Sequence, residues 1–598
     1  MNKKAVASTL VLAALVCACG VVPYRTARNT GFCPELEPGQ LPSANNACTI
    51  KAMSDADAPN RVSRARKAFQ QADTDVPATF VGLSISGGGS RAANFGLAAM
   101  EQLEAIGLMR YVNAISTTSG GGLAGAYYAL KGPDLNWEVA KSLMATDFRS
   151  KWLFSTFRPD HLITTTFTHE DRSDLMADIF DEVLFSDKTY GDLGVFKPGR
   201  PIFLANATDS STGARFAFAD DVFRNQLRSP LDNFPLSQAV MASAAFPGAF
   251  NSVTIKQYPI PVLESSRRPA VPVAYRHLLD GGPADNLGIE SLAELAYSHQ
   301  QALQGRLPTG ATQAPCFFIV IDAYPPGVSG KKQWDPDPRS LSDHIIDTNF
   351  LDAFDALLLQ RRGNLLASVG LGQSPAGGGG YYIGDTVLPL SLGDLGRESL
   401  HPAQQVVEVD LPGPMLHDQG ISAAVRPVGK QKRTQQEIFL GKARVSEPVP
   451  EGYFRCKVWH INLSGELDVK PFEGKPDEKP ARLRNDDAGR NSPILQHRAR
   501  LKRLVSQIDT DFKLAGPPSC SKKQLQDALY AAAFVLIRED HLSRTQMCDW
   551  FEEAGMLVPK ECRAFPGNLS MSTLIKLKAT GPIVSERPGD TAVDCDND

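Results

Sequence analysis

The sequence predicts an α/β fold with a mostly parallel central sheet, and two observations carry that expectation. The first is the stretch from Thr79 to Ala126, where an apolar run, Phe80 to Ile85, breaks at Gly87, Gly88 and Gly89 before a helical pattern. A second apolar run, Val112 to Ile115, breaks at Ser119 and Gly120 to Gly122 and leads into a helix of small residues. Strand, glycine turn and helix, repeated, imply parallel strands whose two turns open at the same carboxyl edge. The second observation is that strand-like runs recur at Ile202–Ala207, His277–Leu279, Cys316–Ala323 and Lys457–Leu463. Helical patterns lie between several of them, which favours an α/β sheet over a sandwich.

The elements follow in chain order. Lys3 and Lys4 precede an apolar core, Ala5 to Val16, too short to span a bilayer. It ends in Val16-Cys17-Ala18-Cys19-Gly20, which resembles a bacterial lipobox. Residues 1–18 are then expected to be a lipoprotein signal peptide, with Cys19 lipidated and the chain anchored in the cell envelope, at the outer membrane. An ordinary signal peptide that contains cysteines is the alternative. No later segment is long and apolar enough for a transmembrane helix. Residues 19–76, rich in Pro, Asn, Asp and Ala, read as a tether and lead-in. The main domain is expected over 77–545, with its core motifs at 79–290, and an extension over 546–598.

In the first helix Ala92, Gly96, Ala99, Leu103 and Ile106 share a face. Lys151 to Gly191 is mixed aromatic and polar, with Trp152, Phe154, Phe157 and Phe167; it reads as a lid or acyl-binding wall, or as ordinary packing on the sheet. Asp322–Leu351 and Gln373–Arg397 read as loops or insertions, and Lys470–Arg490 as a solvated segment. Ser521 with Gln524 forms a capping box that starts a helix with Leu525, Ala528, Leu529, Ala532 and Leu536 on one face. The formal net charge of −4 leaves no nucleic-acid footprint.

Eight cysteines follow Cys19. Cys33 and Cys48 make the best disulfide pair, Cys548 with Cys562 a second, and Cys316 and Cys456, within strand-like runs, are expected to be buried thiols. No pair has the spacing of a zinc site, and no metal is expected.

Three motifs bear on chemistry. Gly87, Gly89 and Ala92 match the spacing of a dinucleotide fingerprint, but the next strand ends in Ser116-Thr117-Thr118-Ser119, without the carboxylate that would hold a ribose. No lysine follows at Walker spacing, so no nucleotide or other cofactor is expected. The other reading is an oxyanion hole. Successive N–H groups of Gly87, Gly88 and Gly89 at a helix N-terminus converge on one concavity, with Arg91 adding charge at the rim. Ser119 lies at a strand-to-helix corner, where it is a nucleophile elbow or a helix cap; Thr117 stands where G-x-S-x-G has its first glycine. Asp280, in LLDGGPADNLG, follows an apolar strand and is either a base or a turn former.

In order and spacing these motifs resemble the patatin-like phospholipase family, with a glycine loop, a serine elbow and then Asp-Gly-Gly. Asn206-Ala207-Thr208-Asp209 and Ala242–Phe250 extend the similarity, which is firm from Pro77 to Asn286. SGGGSRA is also similar to the cytosolic phospholipase A2 branch. The resemblance implies a three-layer fold and a Ser–Asp dyad without histidine, with Ser119 as nucleophile and Asp280 as base and acid. A Ser–Asp–His triad is the rival, and by order any of His299, His344, His401, His417, His460, His497 and His541 fits it. The function expected is hydrolysis of a carboxylic ester of a membrane phospholipid or other lipid. A surface lipoprotein that uses the fold as a lipid-binding or interaction module, with little catalysis, is the alternative.

Overall fold

The computed structural model describes residues 28–31, 78–158, 171–194, 200–258, 274–303, 307, 311–324, 357–358, 360–366, 383–389, 453–463, 501–564 and 595. The expectations for the leader and Cys19, for Cys33–Cys48 and for 470–490 lie outside these residues. Among the described residues nine strands form one sheet: β1 Phe80–Ile85, β2 Ala114–Thr118, β3 Ile202–Asp209, β4 Arg215–Ala217, β5 Val253–Gln257, β6 Ala274–Asp280, β7 Cys316–Asp322, β8 Ile383–Pro389 and β9 Tyr453–Asn462. Its order is β5-β6-β3-β2-β1-β7-β9-β8, with β4 against β3. The middle five, β3-β2-β1-β7-β9, are parallel, while β4, β5, β6 and β8 run antiparallel to their neighbours. The six strands expected from sequence are present. Three outer ones, β4, β5 and β8, were not expected, and β8 lies inside 373–397, a stretch the sequence suggests is a loop or insertion.

Helices cover both faces. The longer ones among the described residues are α1 Gly89–Ala105, α2 Gly121–Lys131, α3 Trp137–Met144, α4 Phe148–Thr156, α5 Arg172–Phe180, α6 Leu236–Ser243, α7 Ile289–Leu303, α8 Lys522–Phe534 and α9 His541–Glu553. Because strand side chains alternate, Val81, Leu83 and Ile85 join Ile115, Phe317, Ile319 and Ile321 in the larger core with α1, α2, α6, α8 and α9. Phe80 points the other way, into the core with Phe318, Val320, Val458 and, from α7, Leu292 and Leu295. The result is the expected three-layer arrangement.

The helix after the glycine turn departs from a one-faced amphipathic helix. From Gly89 to Met100 every residue of α1 is buried, because α8 covers the side turned away from the sheet. Small residues suit that double burial: a Cβ on Gly96 would press to 2.8 Å from Ile85 Cγ2. The α8 capping box is as expected, with Gln524 N–H donating to Ser521 Oγ (3.3 Å) and Ser521 N–H to Gln524 Oε1 (2.7 Å). The expected boundary at 545/546 falls inside α9, whose Phe551 packs edge-on against Phe317 at 4.7 Å between centroids.

The cysteines require a correction. Cys316 and Cys456 are buried but not thiols: they form a disulfide. β7 and β9 are parallel neighbours with Phe317 opposite Lys457, so the preceding residues, Cys316 and Cys456, face each other. Sequence patterning places each in a strand but carries no pairing register. Cys548–Cys562 is disulfide-bonded as expected, and Cys520 bonds Cys595.

The Cys316–Cys456 bridge closes a loop across a sequence separation of 140, for which chain-entropy reasoning gives roughly 5 kcal/mol. The double substitution Cys316→Ala, Cys456→Ala should lower the unfolding free energy by about that amount in denaturant titrations. Equal midpoints for variant and oxidised parent would rule the bridge out as a stabilising element.

Candidate active site

The sheet register sets the site. Thr118 pairs with Asn206 and Ala207 with Asp280, so Ser119, one residue past the end of β2, is level with Asp280. Asp280 arrives from an unexpected direction. β6 runs antiparallel to β3 and delivers its last residue back to the carboxyl edge of the parallel strands. There Ser119 Oγ donates a 2.7 Å hydrogen bond to Asp280 Oδ2, and Gly282 N–H donates to Asp280 Oδ1 at 2.8 Å.

Ser119 is in the left-handed region, φ 51°, which costs a non-glycine residue about 1–3 kcal/mol and persists only where surroundings impose it. Here Ser243 does so. Its Oγ accepts the Ser119 N–H (2.8 Å) and donates to Asn206 O (2.5 Å), while its carbonyl accepts Gly281 N–H (3.0 Å). Two residues on, Ala245 O accepts the N–H of Asp280 itself. The end of α6 and the residues just after it therefore hold both halves of the pair. Asn206 is braced in turn, donating to Ser116 Oγ and Thr117 O and accepting from Ser291 Oγ.

The glycine turn lies against the serine elbow. A Cβ on Gly120 would collide with the carbonyl of Gly89, and one on Gly87 would come within 3.3 Å of Ser119 Cβ. Gly88, at φ 140°, adopts a conformation few other residues tolerate. The three glycines are not equivalent. Gly87 N–H is spent on Asn286 O (3.0 Å), whereas Gly88 and Gly89 have no acceptor among the described residues. Arg91 is placed away from any rim: it is buried, its Nε donates to Ala323 O (2.9 Å) and its Nη1 to Ile508 O (2.7 Å). Burial lowers it to about 10, against Tyr324, Asp322 and Asp509, so it stays charged at neutral pH. It braces the turn, together with Ser90 N–H on Asp511 O. Thr117, where the elbow pattern has glycine, is accommodated from the other side: its methyl occupies the space that Gly125 of α2 leaves open.

Residues 360–366 are helical and pin the site from outside, a role with no signal in the sequence. Arg361 Nε donates to Ala284 O (2.6 Å) just after Asp280, and Arg361 Nη2 meets Glu290 Oε1 at 2.8 Å. Arg362 binds Asp322 Oδ2 at the end of β7, which also meets His460 Nε2 at 3.0 Å. Burial would raise Asp322, but Arg362 and His460 outweigh it and hold the carboxyl well below the usual range. His460 is thus committed to Asp322, and His299 lies tilted against Phe80, 5.7 Å between ring centroids. Among the described residues no histidine bonds Ser119 or Asp280. Nor does any cluster of His, Cys, Asp and Glu suit a metal ion.

Asp280 is pushed up to about 6 by burial, against the hydrogen bonds from Gly282 N–H and the Ser119 hydroxyl. It is therefore an anion at neutral pH with appreciable basicity, aimed at a hydroxyl.

A left-handed serine, a buried carboxylate and a turn with two N–H groups that have no acceptor among the described residues thus lie together at one sheet edge, an arrangement suited to acyl transfer. Residues 83–293, which hold the elbow, the aspartate and the glycine turn, match the family described as Patatin-like phospholipase and form a domain of that family. No curated protein matches the chain. Among solved structures, human GIVD cytosolic phospholipase A2 in complex with methyl gamma-linolenyl fluorophosphonate aligns at 21% identity over 26% of this chain and 25% of that one, TM-score 0.20. The chain thus spans about a quarter of that protein's length. VipD from Legionella pneumophila aligns at 12% identity over 87% of this chain and 96% of that one, TM-score 0.20. Full-length ExoU of the Pseudomonas aeruginosa type III secretion system, in complex with SpcU, aligns at 13% identity over 80% and 88%, TM-score 0.20. Nothing about activity follows from likenesses at that level.

The raised Asp280 has a consequence for stability. A carboxyl whose folded value lies above its unfolded one stabilises the fold at low pH, and that contribution is lost as pH rises to about 6. A rise from 3.8 to about 6 corresponds to roughly 3 kcal/mol. Asp280→Asn should raise the melting temperature at pH 8 and leave it nearly unchanged at pH 4. An Asn variant less stable than the parent at pH 8 would contradict the burial account.

Proposed function

We propose that the chain hydrolyses carboxylic esters of lipids, with an acyl ester of a phospholipid or lysophospholipid as substrate. The observation that carries this reading is the 2.7 Å hydrogen bond from a left-handed Ser119 to Asp280 opposite Gly88 and Gly89. Ser119 Oγ attacks the ester carbonyl carbon as its proton passes to Asp280 Oδ2. The carbonyl oxygen becomes an oxyanion, held by the N–H groups of Gly88 and Gly89 at the N-terminus of α1. Gly87 and Arg91 contribute by fixing the turn. The tetrahedral adduct collapses to an acyl-serine, and protonated Asp280 gives its proton to the departing alcohol oxygen. Water then attacks the acyl-serine, Asp280 takes its proton, and the carboxylic acid leaves as Ser119 recovers its hydrogen.

The family match supports the lipid acyl substrate class. The expected Cys19 anchor belongs to the same reading, because it would hold the domain at a membrane. Three disulfides among the described residues accord with an exported chain. Against the alternative of a lipid-binding module stands the energetics of the pair. A strained serine and a buried carboxylate both cost stability, and binding alone makes no use of either.

A fluorophosphonate probe should label Ser119, and Ser119→Ala should abolish both labelling and hydrolysis of acyl esters; full activity in that variant would overturn the nucleophile. Because Asp280 acts as its anion, kcat/KM should fall tenfold per pH unit below about 6. A profile flat to pH 4 would remove Asp280 as the base. Ser243→Ala, which releases the Ser119 N–H, should lower kcat by more than about tenfold with little change in KM. An unaltered kcat would show that the elbow holds itself.

A further inference from the structure

The aromatic stretch that begins at Lys151 is not used by the catalytic chemistry, and its geometry is two-sided. One side of α4 is packed. Phe148 is buried against Phe180 (5.4 Å between centroids), Trp152 lies against Phe250 (5.1 Å), and Trp152 Nε1 donates to Arg172 O. On the other side Phe154 is 77% exposed and Phe157, three residues on and on the same face, is 71% exposed, with Leu153 beside them at 38%.

This helix is tied to both walls of the site. Arg149 N–H donates to Phe512 O, and the backbone of the adjacent Asp511 lies against Gly89 in the glycine turn. On the other side Phe250, the partner of Trp152, follows Ala245, whose carbonyl holds the N–H of Asp280. The exposed phenylalanines thus project from an element fixed to the donor turn and to the base.

We propose that this face of α4 is a docking surface that inserts into the surface of a lipid aggregate and sets the domain down where its substrate lies. The proposal rests on the lipid-ester reading for the purpose of docking, but not for the docking itself. Area argues against a second copy as occupant. At roughly 200 Å² for a full aromatic side chain, the two exposed rings offer about 300 Å², far less than the roughly 800 Å² per partner of a stable protein interface. Charge identifies the part of the lipid that is met. Arg149 is paired with Asp511, Lys151 with Glu182 and Lys513 with Asp147. These three cations are balanced by carboxylates, and with two apolar rings at its centre the face fits the boundary between headgroups and acyl chains.

The test uses the full chain carrying Ser119→Ala, so that no lipid is consumed, and Cys19→Ala, so that no acyl anchor contributes. Adding Phe154→Ser and Phe157→Ser should lower its partition onto phosphatidylcholine vesicles at least tenfold, with unchanged circular dichroism and no loss of melting temperature. A Phe157→Trp probe in the parent should gain emission that brominated phosphatidylcholine quenches. Equal partition of the two proteins, a parent that does not partition, or an unquenched probe would each overturn the proposal, and the probe decides if the serine variant misfolds. A dimer that the serine substitutions dissociate would assign the face to a second copy and overturn it as well. Hydrolysis that survives Ser119→Ala would instead defeat the catalytic reading and leave the partition result intact.

Discussion

One hydrogen bond, from the Ser119 N–H to Ser243 Oγ, is the contact on which the rest of the site depends. An elbow needs its serine in a backbone region that L-residues avoid, and the strain must be supplied from outside the turn. Ser243 supplies it from the end of α6, and the same residue accepts Gly281 N–H through its carbonyl. The distance between hydroxyl and carboxylate is therefore set by a third segment that bonds to both, rather than by the two turns independently. Behind it, Asn206 and Ser291 carry the support to α7 on the far face of the sheet.

The bond also divides labour among the N–H groups. That of Ser119 is occupied, as is that of Gly87, whereas those of Gly88 and Gly89 have no acceptor among the described residues. Gly120 admits the turn to close contact with the elbow, and Arg91 draws it toward β7 and residue 508. The turn is thereby held in place, which is what the proposed oxyanion-binding role requires of its donors.

Much of this was legible in the sequence, because an elbow and a glycine turn are local features that leave their signal in adjacent residues. Ser119, Asp280 and the three glycines could be located, as could the middle five strands. What the sequence did not reveal depends on register and direction. Asp280 reads as the end of a strand, but nothing near it says that the strand runs antiparallel. Cys316 and Cys456 read as buried, but not as opposite each other. The glycines read as three equal donors until Asn286, far along the chain, takes one of them. Arg361 and Arg362 carry no motif at all, since their role lies in where a distant helix comes to rest.

The bridge between β7 and β9 also bears on how the chain can be cut. It joins two neighbouring strands of the sheet across a sequence separation of 140. Cleavage of any peptide bond between them would yield two polypeptides still linked through sulfur, with both strands retained in the sheet. Such a nick would be invisible on a gel run without reductant. The connection is covalently redundant, so the intervening chain can be severed without releasing β9, whose His460 bonds the same Asp322 as Arg362.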